Sequence, residues 1–285
     1  LMKKNAVSWH LAFPLILLFL LISACQTTDK TRSDLTVSKD QSLTIMSYNI
    51  RLGLGQEDPK GDIYRMPWGR NLDAVIAAIR AGNADIIGLQ EVAGVPQARK
   101  IADALNMNFV FEWHQTSSSR LPWWGVAILS PHPIISSRGA QISTGRGNTR
   151  HIILANIASP NGQVTVVNIH KDKDLKDGLS FENILKEIED EKDPVLLIGD
   201  LNVKPNDPRL ASFLKKFTDT AKAAPTKTAR EAEARGTFVR SKQRRIDCVF
   251  SETSKFHVLD AFLLAKEYQS ASDHIAYVVK VKLIK

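Results

Sequence analysis

Six short stretches of this 285-residue chain place an acid, an amide or an imidazole at one end of an apolar run. In order they are TIMSYNIR with Asn49, IIGLQEV with Glu91, VVNIHKD with His170, LLIGDLN with Asp200 and Asn202, RIDCVF with Asp247, and SDH with Asp273 and His274. Any one of them alone reads as a strand followed by a polar turn. Together, the carboxylates and amide oxygens make a hard donor set suited to Mg²⁺, Mn²⁺ or Ca²⁺. Two imidazoles beside them can move protons and steady negative charge on a phosphate. No Cys/His spacing matches structural zinc, and no GxxxxGK[ST] loop is present to cradle a nucleotide. The set points to metal-assisted hydrolysis of a phosphoester.

Alternation along Ile246-Asp247-Cys248-Val249-Phe250 puts Asp247 on the face opposite Ile246, Cys248 and Phe250. A buried acid on a strand is costly unless it is paired, and His274 offers the pairing.

These groups need a scaffold to aim them, and the remaining sequence supplies its elements. Helical spacing places Leu72, Val75, Ile76 and Ile79 on one face, with Gly82 as a stop. The same spacing recurs at Phe181, Ile184, Leu185 and Ile188, and at Leu210, Phe213, Leu214 and Phe217 behind an Asp207-Pro208 start. A further helix is predicted over Val95–Leu105. Strand-type runs cover Leu43–Ile50, Ile86–Leu89, Val126–Leu129, Ile152–Ile157, Val164–Ile169, Val195–Ile198, Arg245–Phe250 and Ala276–Leu283. Several are apolar nearly throughout, so both faces must be covered. The reading is a layered α/β domain over residues 43–285.

The six motifs, in this order, resemble the endonuclease/exonuclease/phosphatase superfamily with the DNase I-like fold. Trp68-Gly69-Arg70, Gly125–Ser130 and Gly236-Thr237-Phe238 support the resemblance, which spans Leu43 to Lys285. It implies a four-layer sandwich of two packed mixed β-sheets flanked by helices, with a metal site at one edge. By the same resemblance Glu91 is the principal metal ligand, with Asn49 and Asp273 close to the ion. Asp200 and Asn202 face the scissile phosphate, Asp247 orients His274, and His170 binds or protonates a phosphate oxygen. Family members differ on whether the Asp200 or the His274 equivalent activates the water.

The N-terminus reads separately. Lys3 and Lys4 precede an apolar run, Leu11 to Leu21, that is shorter than the roughly 20 residues needed to span a bilayer. A charged start, short apolar core and small residues read as a signal peptide over residues 1–24. Ile22-Ser23-Ala24-Cys25 resembles a bacterial lipobox, which implies lipidation of Cys25 and anchoring in the cell envelope. Gln26 implies the outer membrane where two membranes exist. Residues 25–42 then form a polar tether. With Cys25 lipidated, Cys248 has no cysteine partner and reads as a small buried hydrophobe.

The formal net charge is +8, and loss of Lys3 and Lys4 takes two from it. That excess suits polyanions or an anionic membrane face. Arg138, Arg146 and Arg150, with Arg230, Arg235, Arg240, Lys242, Arg244 and Arg245, could form a basic rim, and Arg244 and Arg245 are expected near Asp247. The loop Trp113–Trp124 could stack on bases or enter a lipid interface, although Trp124 reads more simply as a core cap. A monomeric nuclease is the first expectation. A phospholipid-headgroup hydrolase of phosphoinositide or sphingomyelin type is the alternative, ahead of a non-catalytic surface-binding lipoprotein.

Overall fold

A strand that is apolar on both faces needs a layer on each side. In β1 (Ser42–Asn49), Leu43 and Ile45 enter one buried cluster, while Met46 and Tyr48 enter another. The chain continues through α1 (Leu72–Gly82), β2 (Ile86–Val92), α2 (Gly94–Leu105), β3 (Asn108–Trp113), β4 (Gln115–Thr116), β5 (Gly125–Ser130), β6 (Ile134–Gly145), β7 (Asn148–Ser159) and β8 (Gly162–His170). It ends with α3 (Leu179–Glu187), β9 (Val195–Asp200), β10 (Phe217–Asp219), α4 (Thr220–Ala223), α5 (Lys227–Arg235), β11 (Asp247–Glu252), β12 (Phe256–Leu263) and β13 (Tyr277–Leu283).

This computed structural model describes residues 41–57, 68–116, 124–145, 148–174, 178–241 and 243–284, all within one unit spanning Asp40–Lys285. The expected leader, Cys25, the expected tether as far as residue 40, Trp123, Arg146 and Lys242 lie outside the described residues.

Two mixed sheets form the centre. One runs β12-β13-β1-β2-β5-β3, and the other runs β10-β11-β9-β8-β7-β4, with β6 on β7. Ile45, Ile128, Ile153, Ile198, Val249 and Val279 fill the space between them. The outer face of the first sheet is covered by α1 and α2 through Val75, Ile79, Ala98 and Ile101. The outer face of the second is covered by α3 and two short 3₁₀ turns through Phe181, Ile184, Leu210 and Phe213. Helix, sheet, sheet and helix give four layers, as the resemblance implies. Each large apolar side chain so buried contributes about 1.5–3 kcal/mol.

Topology collects the motif ends at one edge. The parallel pair β1–β2 ends together, with Asn49 opposite Gln90. The parallel pair β8–β9 also ends together, with His170 opposite Asp200. The antiparallel neighbours begin where these end: β11 pairs Asp247 with Asp200, and β13 opens with Tyr277 beside Ser47. Six polar strand ends therefore meet without any long loop having to carry them.

Three expectations are corrected. The helix expected over Leu210–Phe217 is two 3₁₀ turns, Pro208–Leu210 and Phe213–Lys215, followed by β10. Asp207 does cap, accepting from the Arg209 N–H, but Phe213 stacks on Phe217 and Phe250, which draws the chain into the sheet. Gly82 is the last residue of α1 rather than its stop, and Asn83, in the left-handed region at φ 45°, ends the helix. Strands β3, β4, β6, β10 and β12 and helices α4 and α5 were absent from the expectation.

Candidate active site

Asn49, at the end of β1, donates through Nδ2 to Glu91 Oε1 and to Asp200 Oδ2, both at 3.1 Å. Its Oδ1 accepts the Arg51 N–H at 3.0 Å, which fixes the amide's orientation. Glu91 reaches this position by leaving ideal strand geometry. Its φ is +51°, and the β2–β5 register shifts between Leu89 and Val92. A non-glycine residue in the left-handed region is a local strain that surrounding structure must impose, and such strain gathers at functional sites. Arg51, at φ 48°, and Asn202, at φ 54°, share this conformation beside the same cluster.

Asp200 is the hub. Its Oδ1 accepts the Asn202 N–H at 2.8 Å, and its Oδ2 faces His170 Nε2 at 3.7 Å and His274 Nε2 at 3.8 Å. Asn202 is anchored by donating to the Lys171 carbonyl at 2.9 Å. His274 Nδ1 lies 2.8 Å from Asp247 Oδ2, the pairing expected from the sequence. Thr237 Oγ1 accepts the N–H groups of both Ile246 and Asp247, fixing the start of β11, and Phe238 packs its ring 5.0 Å from that of His274. Ser272 ties the last motif to the first by donating to the Asn49 carbonyl at 2.7 Å. Asp273 sits 3.5 Å from both Arg51 Nε and Arg240 Nε.

Burial sets the electrostatics. Glu91 is held above the ordinary carboxylate range by desolvation, reinforced by the charge of Asp273. Asp200 is pushed up to about 7 by burial and then by Asp247. His170 is held well below its usual range by burial, with Arg150 and His114 adding to the effect. Burial also opposes charge on His274, but Asp247, through its charge and hydrogen bond, and then Asp200 outweigh it and raise the imidazole to about 10. One imidazole is neutral and the other cationic, and Asp200 lies between them.

The eight residues singled out in the sequence thus meet around Asp200. Asp200, Asp247 and His274 each offer a ligand atom within 4.8 Å of the others. We read this triad as a proton-handling unit, because Asp247 and His274 already satisfy each other. The oxygen-rich side, Glu91 and Asp200 bridged by Asn49, is where a cation would relieve crowded charge.

The expected basic rim is only partly present. Arg245 turns away from the site and is buried, with Nη2 at 2.6 Å from Asp219 Oδ2 and Nε on Glu233. The backbone ahead of β11 is not extended, with Gln243 at φ 61°, so two-residue alternation does not carry from Asp247 back to Arg245. Arg138 is likewise held by Glu187 at 2.6 Å. Arg244 stays close, its guanidinium 5.5 Å over the Phe238 ring. Trp124 is not a simple core cap: it packs against His170 at 5.1 Å and His114 at 4.9 Å, with the Arg150 guanidinium 4.6 Å over its ring. Sequence reasoning passed over Arg51 and His114. Arg51 adjoins a strand-end motif, whereas His114 carries no local signal.

A model of the Endonuclease/Exonuclease/phosphatase family matches residues 46–274. The structure of an endonuclease/exonuclease/phosphatase from Beutenbergia cavernae DSM 12333 superposes with a TM-score of 0.66 at 22% identity, covering 85% of this chain and 72% of that one. The mannosyl-6-phosphatase of Bacteroides thetaiotaomicron VPI-5482 superposes at 0.60 with 20% identity, over 85% and 100%. The catalytic domain of human Nocturnin with a bound sulfate anion superposes at 0.63 with 16% identity, over 86% and 94%. At such identities the structural likeness is one of fold, and it agrees with the two-sheet architecture above. With the family model spanning all six motifs, the chain belongs to the endonuclease/exonuclease/phosphatase family, whose members are hydrolases acting on phosphoesters.

Proposed function

We propose that this protein is a divalent-metal-dependent phosphoester hydrolase whose first substrates are nucleic-acid phosphodiesters. The carrying observation is Asp200 Oδ2, which faces Asn49 Nδ2 and the Nε2 atoms of both His170 and His274. Glu91 and Asp200 are carboxylates whose burial resists their charge, which fits a resident cation. They would hold it with Asn49 and Asp273 close by, Mg²⁺ being the first choice and Mn²⁺ or Ca²⁺ the alternatives. Such an ion, when bound, neutralises phosphoryl oxygens and acidifies coordinated water.

The chain's own groups supply the rest. A water oxygen attacks phosphorus, and Asp200, beside the cationic His274, accepts its proton. Asp247 orients His274 and supports its positive charge. Neutral His170 donates to a phosphate oxygen as charge develops there. The P–O ester bond breaks on the far side, and the departing oxygen takes its proton from solvent. Asn202, fixed by Asp200 and Lys171, steadies the phosphate.

Arg244 stacked on Phe238 beside His274 supports a nucleic-acid backbone, because cation and aromatic together suit a sugar-phosphate chain. The second reading, a phospholipid headgroup, is favoured by the Ile22-Ser23-Ala24-Cys25 lipobox, which would tether a monomer at a bacterial membrane surface. Labelled palmitate incorporated by the wild type and not by Cys25→Ala would support the tether, and no label in either would remove it.

The activity test uses the full chain in detergent, as wild type, Glu91→Ala and His274→Ala. Plasmid DNA, RNA, a phosphoinositide and sphingomyelin are each offered with Mg²⁺, Mn²⁺ or EDTA. Metal-dependent turnover of DNA or RNA, lost in both variants, is the expected result. Turnover of a lipid alone moves the assignment to the second reading. No turnover by a folded wild type under any condition leaves a non-catalytic binding protein.

A further inference from the structure

Two buried arginines differ in how their donors are met. Arg245 has an acceptor at each guanidinium nitrogen: Asp219, Glu233 and, at 3.6 Å, the Cys248 sulfur. Arg150, on β7, has none at Nε or Nη1, which are both buried and lack a hydrogen-bond partner among the described residues. The nearest paired carboxylate, Asp172, lies 3.8 Å from Nε, beyond hydrogen-bonding range. Trp124 covers one face of the guanidinium. Against the same indole lie His114 and His170, whose Nε2 and Nδ1 respectively are also buried without partners. Orphaned buried polar atoms are rare and costly, and of the four gathered round one tryptophan the three on Arg150 and His114 are donors that call for a ligand with acceptors.

The chemistry of that ligand follows from the donors. A planar guanidinium fork matches two oxygens of one oxyanion, and His114, whose Nδ1 accepts the His151 N–H, can add its Nε2–H. Arg150 supplies the positive charge, and His114, held neutral by burial and then by Arg150, adds none that would repel it. His170 links this cluster to the catalytic hub, with Nε2 toward Asp200 and Nδ1 unpaired. Arg150 keeps 7% of its surface exposed, while Nε and Nη1 themselves are covered.

We propose that Arg150, Trp124 and His114 form an oxyanion subsite, next to His170, that binds a phosphate group beside the scissile one. This deepens the phosphoester reading and rests on it. The phosphate is either a second one on the substrate or free inorganic phosphate.

The test measures binding in the absence of turnover. Inorganic phosphate is titrated calorimetrically into the full chain in detergent and EDTA, where the carboxylate cluster itself repels anions. Wild type and Glu91→Gln should bind with similar affinity. Arg150→Gln should bind roughly tenfold or more weakly, with Arg150→Lys in between because it keeps charge but not the fork. No binding by wild type, or equal affinity in Arg150→Gln, overturns the subsite. Should Arg150→Gln fail to fold, equal affinity in Arg150→Lys and wild type overturns it. A Mg²⁺ arm with thymidine 5′-monophosphate and thymidine 3′,5′-bisphosphate identifies the source. Tighter bisphosphate binding, lost in Arg150→Lys, assigns the subsite to a flanking phosphate, and equal binding assigns it to free phosphate. Because no arm needs hydrolysis, loss of the subsite and failure of the hydrolase reading give different results.

Discussion

Asp247 Oδ2 lies 2.8 Å from His274 Nδ1, and the sheet places Asp247 directly opposite Asp200. The second carboxylate of a cross-strand pair therefore holds the imidazole that faces the first. Asp247→Asn keeps the shape but removes the charge and permits the other tautomer. We expect kcat to fall about 10²–10⁴-fold with little change in KM. Asp247→Asn/His274→Ala should be no slower than His274→Ala, since the two act as one unit. Multiplying losses in the double variant would show that they act separately.

Stability should depend on pH through the same cluster. Asp200 keeps its proton to about 7 in the folded chain but releases it near 3.8 when unfolded. Over that window the folded state binds more protons, so stability falls as pH rises. His274, raised from 6.5 to about 10, contributes fully below 6.5 and loses its contribution as pH climbs through 10, which has the same sign. His170 and His114, held well below 6.5, have the opposite sign through 6.5. Above that value, in EDTA, the melting temperature should therefore be lower at pH 8 than at pH 7, by about 2–4 °C for each kcal/mol lost. Mg²⁺ should restore more at pH 8, because protons no longer compete for the carboxylates. A melting temperature in EDTA that is flat or rises between these values would contradict the argument.

Arg245 separates a structural arginine from a substrate-binding one. Its removal leaves Asp219 buried without its cation, and breaking a buried pair costs about 3–5 kcal/mol. Arg245→Ala should be strongly destabilised in urea, while kcat and KM per folded molecule stay unchanged. A raised KM for nucleic acid at full stability would return Arg245 to the rim.

How legible these features were in the sequence depends on how locally each is encoded. Asn49, Glu91, His170 and Asp200 end or nearly end an apolar strand run and Asp247 and His274 precede one, so a local pattern marks them, and the topology only has to align the ends. Strand β6 was missed because Ile134–Gly145 lies at the surface and is largely polar, so burial leaves no imprint on it. Helix α5 was missed because it buries only Ala229 and Ala232, whose small side chains give a faint periodicity. The residues from Leu210 to Phe217 had helical spacing, yet three stacked phenylalanines decided otherwise, and such packing is not encoded locally. Trp124 and Arg150 were visible as types, but their shared contact joins β5 and β7, which only the folded sheets bring together.

Besides the Asn49–Asp200 hydrogen bond, a polar bracket inside the core holds the two halves of the site at their spacing. Gln90 Nε2 donates to Asn168 Oδ1 at 2.7 Å, and Asn168 Nδ2 donates to the carbonyls of Leu89 and Ala127 at 2.9 and 2.8 Å. Gln90 precedes Glu91, and Asn168 lies two residues before His170, so the bracket fixes the metal-side carboxylate against the phosphate-side imidazole. Gly88 permits the approach, since a Cβ there would meet Ile198 and Asn168. Gln90→Met should leave Asn168 Oδ1 unpaired and cost about 1–3 kcal/mol, and Asn168→Leu should cost more by orphaning two carbonyls. The double variant should fall short of the sum by about 1 kcal/mol or more, because the broken bond is shared. Both singles should also lower kcat, as Glu91 and His170 lose their common reference. Additive stabilities in a urea-unfolding cycle, or full activity in Asn168→Leu, would show that the sheets hold their register without the bracket.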